Sequence, residues 1–101
     1  MRIVIMFDLP VETSVERREY ALFRRFLVKN GFLMLQKSIY CKIAQNPTAA
    51  ENVISNVRKN KPKTGLVQVL TITEKQYSKM ECIVGEKKTD VIDSDERLLI
   101  L

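Results

Sequence analysis

The chain contains no histidine, and this absence removes several kinds of chemistry at once. Ser/His/Asp and Cys/His catalysis need an imidazole base, and most zinc sites need imidazole or clustered thiolate ligands. The only two cysteines, Cys41 and Cys82, lie far apart in separate apolar segments, which favours two buried thiols in a reducing cytosol over a disulfide. Any catalysis must therefore use carboxylates, metal ions, or lysine, tyrosine, serine or cysteine side chains.

Long apolar runs and glycine-rich loops are also missing. No run approaches the roughly 18 apolar residues of a membrane span, and the N-terminus lacks the pattern of a signal peptide. We therefore expect a cytoplasmic protein without membrane contact. With three glycines in all, the chain has no phosphate-cradling loop, which argues against a small-molecule regulatory domain. The 101 residues, 46% of them hydrophobic, predict one domain with one modest core.

The net charge of +5 hides an uneven distribution along the chain. Residues 1–89 carry 16 of the 17 basic side chains but only eight of the 12 acidic ones. A basic body indicates a polyanionic partner, and an acidic tail indicates a separate role. We accordingly divide the chain into a domain, residues 1–85, and an acidic linker with a C-terminal edge strand, residues 86–101. That strand is expected to pair within the chain, across a dimer or with another protein, and it comprises Arg97, Leu98, Leu99, Ile100 and Leu101.

Hydrophobic periodicity predicts alternating strands and helices. The apolar run before Asp8 is typical of a buried strand, and Thr13 with Glu16 forms a capping box for a helix that ends near Gly31. A second helix begins at Asn46-Pro47. The later strands are expected at 32–43, which bends into a hairpin-like pair, at 66–72 and at 80–84, with a short helical turn after Thr73.

This order predicts an α+β fold, a ferredoxin-like βαββαβ sandwich with two helices on one face of an antiparallel sheet. The strands carry so much apolar surface that we do not expect the face of the sheet away from the helices to be exposed to solvent. We therefore expect a homodimer that packs through the open face of the sheet.

Asp8 is the candidate for chemistry because it directly follows the buried strand and emerges at the rim of the sheet. It has no second acid nearby, and one carboxylate holds a divalent cation poorly because magnesium needs several oxygen ligands. One interpretation is a turn acid that bonds to nearby backbone amides. The other is that two Asp8 residues meet across a dimer axis and hold Mg²⁺ or Mn²⁺, which activates water for phosphodiester attack.

Arginines dominate the polar face of the first helix. The apolar stripe predicted for the core consists of Val15, Leu22, Phe23, Phe26 and Leu27. Opposite it we place a nucleic-acid-binding face, since the planar guanidinium suits phosphate oxygens; the face comprises Arg17, Arg18, Arg24 and Arg25, with Lys37 from the next segment. Such contacts are insensitive to sequence and sensitive to salt. The alternative is a solvated helix face, and no pattern typical of base readout is present.

The sequence also resembles a known family over essentially its whole length. The matching motifs are the start Met1-Arg-Ile-Val-Ile-Met-Phe-Asp8-Leu-Pro10, the arginine-rich helix to Gly31-Phe32, Gln36-Lys37-Ser38-Ile39-Tyr40, and Leu70 to Tyr77. Together they resemble the CRISPR-associated Cas-two family, most closely its members from type II systems. Phe7 stands where many members have tyrosine.

The resemblance implies a ferredoxin-like homodimer in which Asp8 is the catalytic, magnesium-binding residue. Members of the family are metal-dependent endonucleases on single-stranded RNA or double-stranded DNA. In spacer acquisition, a central dimer bridges two dimers of the larger CRISPR-associated integrase and holds the prespacer duplex by its backbone. The C-terminal strand is expected to cross the dimer or dock on the integrase. The alternative function is a stand-alone, toxin-like, metal-dependent ribonuclease on the same fold.

Overall fold

The computed structural model describes residues 1–85, which form three helices and a four-stranded antiparallel sheet. In chain order the elements are β1 Arg2–Asp8, α1 Ser14–Lys29, β2 Leu33–Gln36, β3 Ile39–Ile43, α2 Pro47–Lys59, β4 Leu66–Ile72 and α3 Glu74–Ser78. The strands lie in the order β2-β3-β1-β4, with β1 paired antiparallel to both β3 and β4. This arrangement confirms the predicted ferredoxin-like fold.

The helix boundaries follow from local capping chemistry. The Thr13 hydroxyl accepts the Glu16 N–H at 3.1 Å, and the Glu16 carboxylate accepts the Thr13 N–H at 3.0 Å, which confirms the predicted capping box. After α1 the chain turns at Gly31, whose φ of 88° lies in the left-handed region. Asn46 caps α2 in the same manner as Thr13 caps α1, because its side chain accepts the Ala49 N–H at 2.8 Å.

The extended segment after α1 divides into a hairpin, as predicted, and this supplies the second and third strands of the sheet. Lys37 and Ser38 form its turn, and the register shifts between Met34 and Gln36. The predicted strand at 80–84 is wrong. The segment follows α3, and it pairs with no strand of the sheet within residues 1–85. Ile83 and Val84 are 84% and 90% exposed.

The core lies between the sheet and the two longer helices. Ile3, Ile5 and Phe7 of β1 are buried against α1 and α2, and the Phe7 ring meets the Phe23 ring edge-on at 5.2 Å between centroids. The predicted stripe of α1 was too wide, because Val15 and Leu22 are exposed. They lie at the margin of the stripe and are turned away from the sheet. Cys41 is buried as predicted, whereas the prediction for Cys82 is wrong because its side chain is exposed.

The opposite side of the sheet carries apolar side chains that no helix of the core covers. We call it the open face, and its members are Val4, Met6, Leu33, Ile39, Ile43, Leu66 and Leu70. Leu33, Ile43, Leu66 and Leu70 are each about half exposed. The predicted unpaired apolar face is therefore present within residues 1–85.

One end of the sheet is covered by α3. The Arg2 guanidinium bonds both carboxylate oxygens of Glu74, at 3.1 and 2.7 Å, and lies 3.8 Å from the centre of the Tyr77 ring. The hydrogen bond to Arg2 lowers the pKa of the Glu74 carboxyl, so the pair stays charged at neutral pH. No helix among the described residues is long and apolar enough to cross a membrane.

Candidate nucleic-acid interface

Asp8 lies at the rim of the sheet, as predicted, and its side chain is exposed. It is the last residue of β1 and stands opposite Leu66 of β4. The Phe7 N–H donates to the Ser38 carbonyl at 3.1 Å, which ties this end of β1 to the hairpin turn. Asp8 thereby lines a cleft of about 430 Å³, whose other walls are Met6, Phe7, Gln36, Lys37, Ser38, Ile39, Leu66 and Gln68.

The cleft provides only some of the oxygen ligands that a cation such as Mg²⁺ requires. Its polar lining supplies one carboxylate, one hydroxyl and two amide groups, from Asp8, Ser38, Gln36 and Gln68. Within residues 1–85 the Asp8 carboxylate has no ion-pair or hydrogen-bond partner, and no group of three or more His, Cys, Asp or Glu side chains could hold a metal. These oxygen donors suit magnesium, which proteins bind through one or two carboxylates. Within residues 1–85, no second carboxylate lines this cleft.

The position of Asp8 depends on a close approach of β4 to the end of β1. Gly65 precedes β4 with a φ of 95°, and a Cβ at this residue would lie 2.6 Å from the Leu9 side chain and 2.9 Å from the Asp8 carbonyl oxygen. Glycine is required here because it tolerates the left-handed backbone and leaves room for the Asp8 main chain.

We expect Gly65→Ala to lower the free energy of unfolding by about 2–5 kcal/mol. The left-handed backbone costs a residue with a Cβ roughly 1–2 kcal/mol, and the crowding against Asp8 and Leu9 adds about 1–3 kcal/mol. Urea unfolding measures the loss. Gly85→Ala is the matched control because its φ of 96° is similar but nothing lies within 4 Å of its Cβ. An equal loss of unfolding free energy in both variants would show that the close approach of Gly65 to Asp8 and Leu9 does not contribute to the effect of the substitution.

The four arginines of α1 are all exposed and form two lines along the helix. Arg17 and Arg24 lie two helical turns apart on the flank of α1, and Arg18 and Arg25 lie about 100° further round the helix. Arg17 donates to the carbonyl oxygens of Val11 and Glu12 at 3.1 and 2.8 Å. Arg18 and Arg25 are exposed and make no hydrogen bond or ion pair with residues 1–85.

Arg24 approaches the hairpin. Its Nε donates to the Tyr40 hydroxyl at 2.8 Å. A groove of about 620 Å³ lies between α1 and β2, lined by Tyr20, Arg24, Met34, Leu35, Gln36 and Lys37. Lys37 lines this groove and the Asp8 cleft, so the hairpin turn joins the two. The structure thus brings Lys37 beside Arg24 on one side and Asp8 on the other, whereas Arg18 and Arg25 point elsewhere.

Tyr40 was not among the predicted site residues. It lies in the extended segment after α1 and closes the motif Gln36-Lys37-Ser38-Ile39-Tyr40, but neither signal indicates a bond to a residue of the preceding helix. The predicted edge strand, Arg97 to Leu101, lies outside the described residues, and so does the whole predicted unit 86–101.

Comparison with known proteins gives consistent matches. The family model described as CRISPR associated protein Cas2 matches residues 1–80. A protein of Treponema denticola named CRISPR-associated endoribonuclease Cas2 is 52% identical over the whole of both chains. A relative of the same name from Streptococcus mutans is 43% identical over 100% of this chain and 93% of its own. The crystal structure of Streptococcus pyogenes Cas2 at pH 6.5 superposes with a TM-score of 0.62, covering 83% of this chain and 100% of that one; at 14% identity it demonstrates a shared fold.

Proposed function

Since this chain belongs to the CRISPR-associated Cas2 family, we propose that it is the nucleic-acid-binding subunit of the spacer-acquisition machinery. In this role it binds prespacer duplex DNA by its backbone. A homodimer of the chain bridges dimers of the larger CRISPR-associated integrase, and the integrase carries out the joining reaction.

The observation that carries this proposal is the uncompensated charge of α1. None of its four arginines forms a salt bridge within residues 1–85. Arg17 and Arg24 are held instead by neutral acceptors, two carbonyl oxygens and a hydroxyl. These bonds orient the guanidinium groups without neutralising them. Their positive charge therefore remains available to a polyanion such as the phosphate backbone.

The open face supports the homodimer. Its half-exposed leucines and isoleucines form the kind of contiguous apolar patch that soluble proteins cover with a partner. A second copy is the occupant that we propose, because an isologous dimer buries the same patch on both chains. Asp8, Gln36 and Gln68 lie at one end of this face, and a dimer axis that passes near this end would bring the two Asp8 clefts towards each other.

A second candidate function is a magnesium-dependent endonuclease acting on RNA. It is favoured by the exposed, unpartnered Asp8 and by the name endoribonuclease that the curated relatives carry. The two Asp8 carboxylates of a dimer would hold the Mg²⁺, or Mn²⁺, which when bound polarises a phosphoryl oxygen and lowers the pKa of water. Lys37, in the same cleft, would hold the phosphate by its charge.

One experiment tests both functions: binding and cleavage by the wild type and by Asp8→Asn, with a DNA duplex and a single-stranded RNA, with and without Mg²⁺. We expect both proteins to bind the duplex equally, with an affinity that falls steeply as salt rises. We expect Asp8→Asn, which keeps the shape of the side chain, to stop Mg²⁺-dependent cleavage of RNA. Wild-type protein that fails to bind the duplex would contradict the scaffold, and cleavage that survives the substitution would contradict the role of Asp8.

A further inference from the structure

We propose that Tyr40 is a positioning residue. Its buried hydroxyl orients Arg24 to bind a backbone phosphate in the groove between α1 and β2. This inference rests on the proposed binding of nucleic acid and deepens it. Arg24 is the arginine that is oriented to bind a phosphate, and Tyr40 is the residue that orients it.

Tyr40 is built to be rigid. Its side chain is fully buried, and its ring stacks on that of Phe7 with 5.8 Å between centroids and 23° between planes. Its neighbour Ile5 on β1 is buried as well. The hydroxyl oxygen therefore has one fixed position next to Arg24, which lines the groove, and a buried tyrosine hydroxyl needs a hydrogen-bond partner.

Arg24 supplies that partner through Nε alone. Guanidinium has five N–H donors in one plane, so a bond from Nε to a fixed oxygen at 2.8 Å also fixes the direction of the four donors on Nη1 and Nη2. Those four donors have no acceptor within residues 1–85. A planar fork with its orientation fixed and its outer donors unused matches two oxygens of one phosphate.

The surroundings of Arg24 fit a phosphodiester. The groove has one further cationic side chain, Lys37, and contains no carboxylate in its lining, while Met34 and Leu35 provide an apolar wall. Two cations over an apolar wall suit a charged backbone that also carries sugar surface. The nearby Arg25 offers a contrast, because it is exposed and no described residue holds it.

Orientation before binding has a measurable consequence. A flexible arginine loses side-chain freedom when it binds phosphate, whereas an arginine already held by a buried partner loses less. Removing the Tyr40 hydroxyl should therefore weaken duplex binding about two- to tenfold. It should leave the dependence on salt unchanged, because no charge is removed and the number of phosphates neutralised stays the same.

The test is a set of duplex-binding titrations at several salt concentrations with Tyr40→Phe, Arg24→Ala and the double variant. We expect Tyr40→Phe to weaken binding at an unchanged salt slope. We expect Arg24→Ala to reduce the slope by about 0.9 for each lost phosphate contact, and therefore by about 1.8 for a homodimer that uses both copies of Arg24. The double variant should bind as Arg24→Ala does, because the hydroxyl acts only through Arg24. Tyr40→Phe combined with Arg25→Ala should instead show both losses.

A purely structural Tyr40 would give a different pattern. The loss of duplex affinity in Tyr40→Phe would add to the loss in Arg24→Ala, or folded Tyr40→Phe would bind as tightly as the wild type. Either result would overturn the inference about Tyr40 and leave the proposed function standing. Arg24→Lys is a second route that leaves Tyr40 in place; it keeps the charge and should weaken binding like Tyr40→Phe, and unchanged affinity would also overturn the inference. Failure of the wild type to bind at any salt concentration overturns both the inference and the proposed function.

Discussion

Reversing the charge of the α1 arginines, with glutamate at positions 17, 18, 24 and 25, should abolish duplex binding near physiological salt. Each protomer loses up to four phosphate contacts and gains four repulsive charges. Proteins with 6–10 such contacts change affinity by about 10³–10⁵ with salt alone, so we expect a loss of at least about a thousandfold. Fluorescence anisotropy with a labelled duplex measures it.

The fold should survive this change because all four arginines are exposed. Their bonds within residues 1–85 are made to backbone carbonyls and to the Tyr40 hydroxyl. A glutamate at position 24 would accept a hydrogen bond from that hydroxyl in place of the one that Arg24 donates to it, and a glutamate at position 17 suits the N-terminal part of a helix. Circular dichroism should therefore be unchanged.

A matched control separates the α1 surface from net charge. The basic stretch at the end of α2 also has four cationic residues, and its reversal changes the net charge by the same amount; the residues are Arg58, Lys59, Lys61 and Lys63. Arg58 already forms a salt bridge with Glu51 at 2.8 Å, so this stretch is partly compensated. We expect its reversal to weaken binding much less. An equal loss in the two variants would show that net charge, and not the α1 arrangement, governs binding.

The sequence predicts most accurately those features that depend on neighbouring residues. The Thr13 capping box, the Asn46 cap and the left-handed turn at Gly31 each involve contacts across a few residues, and all three are confirmed. The position of Asp8 at the rim of the sheet follows from the apolar strand directly before it. Such signals fixed the order of elements, and that order implied the fold.

Features that depend on distant packing were not predictable in the same way. The apolar segment at 80–84 has the composition of a strand, yet within the described residues no strand lies beside it. Val15 and Leu22 have helical spacing with the core residues, but α1 contacts the sheet through a narrower stripe. The bond from Arg24 to Tyr40 joins residues 16 positions apart on different elements. No second carboxylate lines the Asp8 cleft within the described residues, and the one that we propose belongs to a second chain, whose position a single sequence does not give.

Leu70→Lys should convert the proposed dimer to a monomer. Leu70 lies on the open face opposite Val4 and is 50% exposed, so a lysine there is tolerated in one folded chain with a loss of stability of about 0.5 kcal/mol. In a dimer through this face, two unpaired ammonium groups would be buried at the contact. Each costs several kcal/mol, and we expect the dissociation constant of the dimer to rise at least about a hundredfold.

Sedimentation equilibrium gives the oligomeric state, and Leu22→Lys is the control. It makes the same substitution at a leucine of similar exposure, 48%, but on α1 rather than on the open face, so it should remain dimeric. Monomeric Leu70→Lys should also bind duplex more weakly, because the proposed dimer would engage one duplex through two α1 surfaces, and binding of the first would raise the effective concentration of the second. In the proposed site the two Asp8 carboxylates meet only in the dimer, so Mg²⁺-dependent cleavage should disappear when the dimer dissociates. Leu70→Lys that sediments as a dimer would contradict assembly through the open face, and cleavage by a confirmed monomer would contradict a site shared between two Asp8 residues.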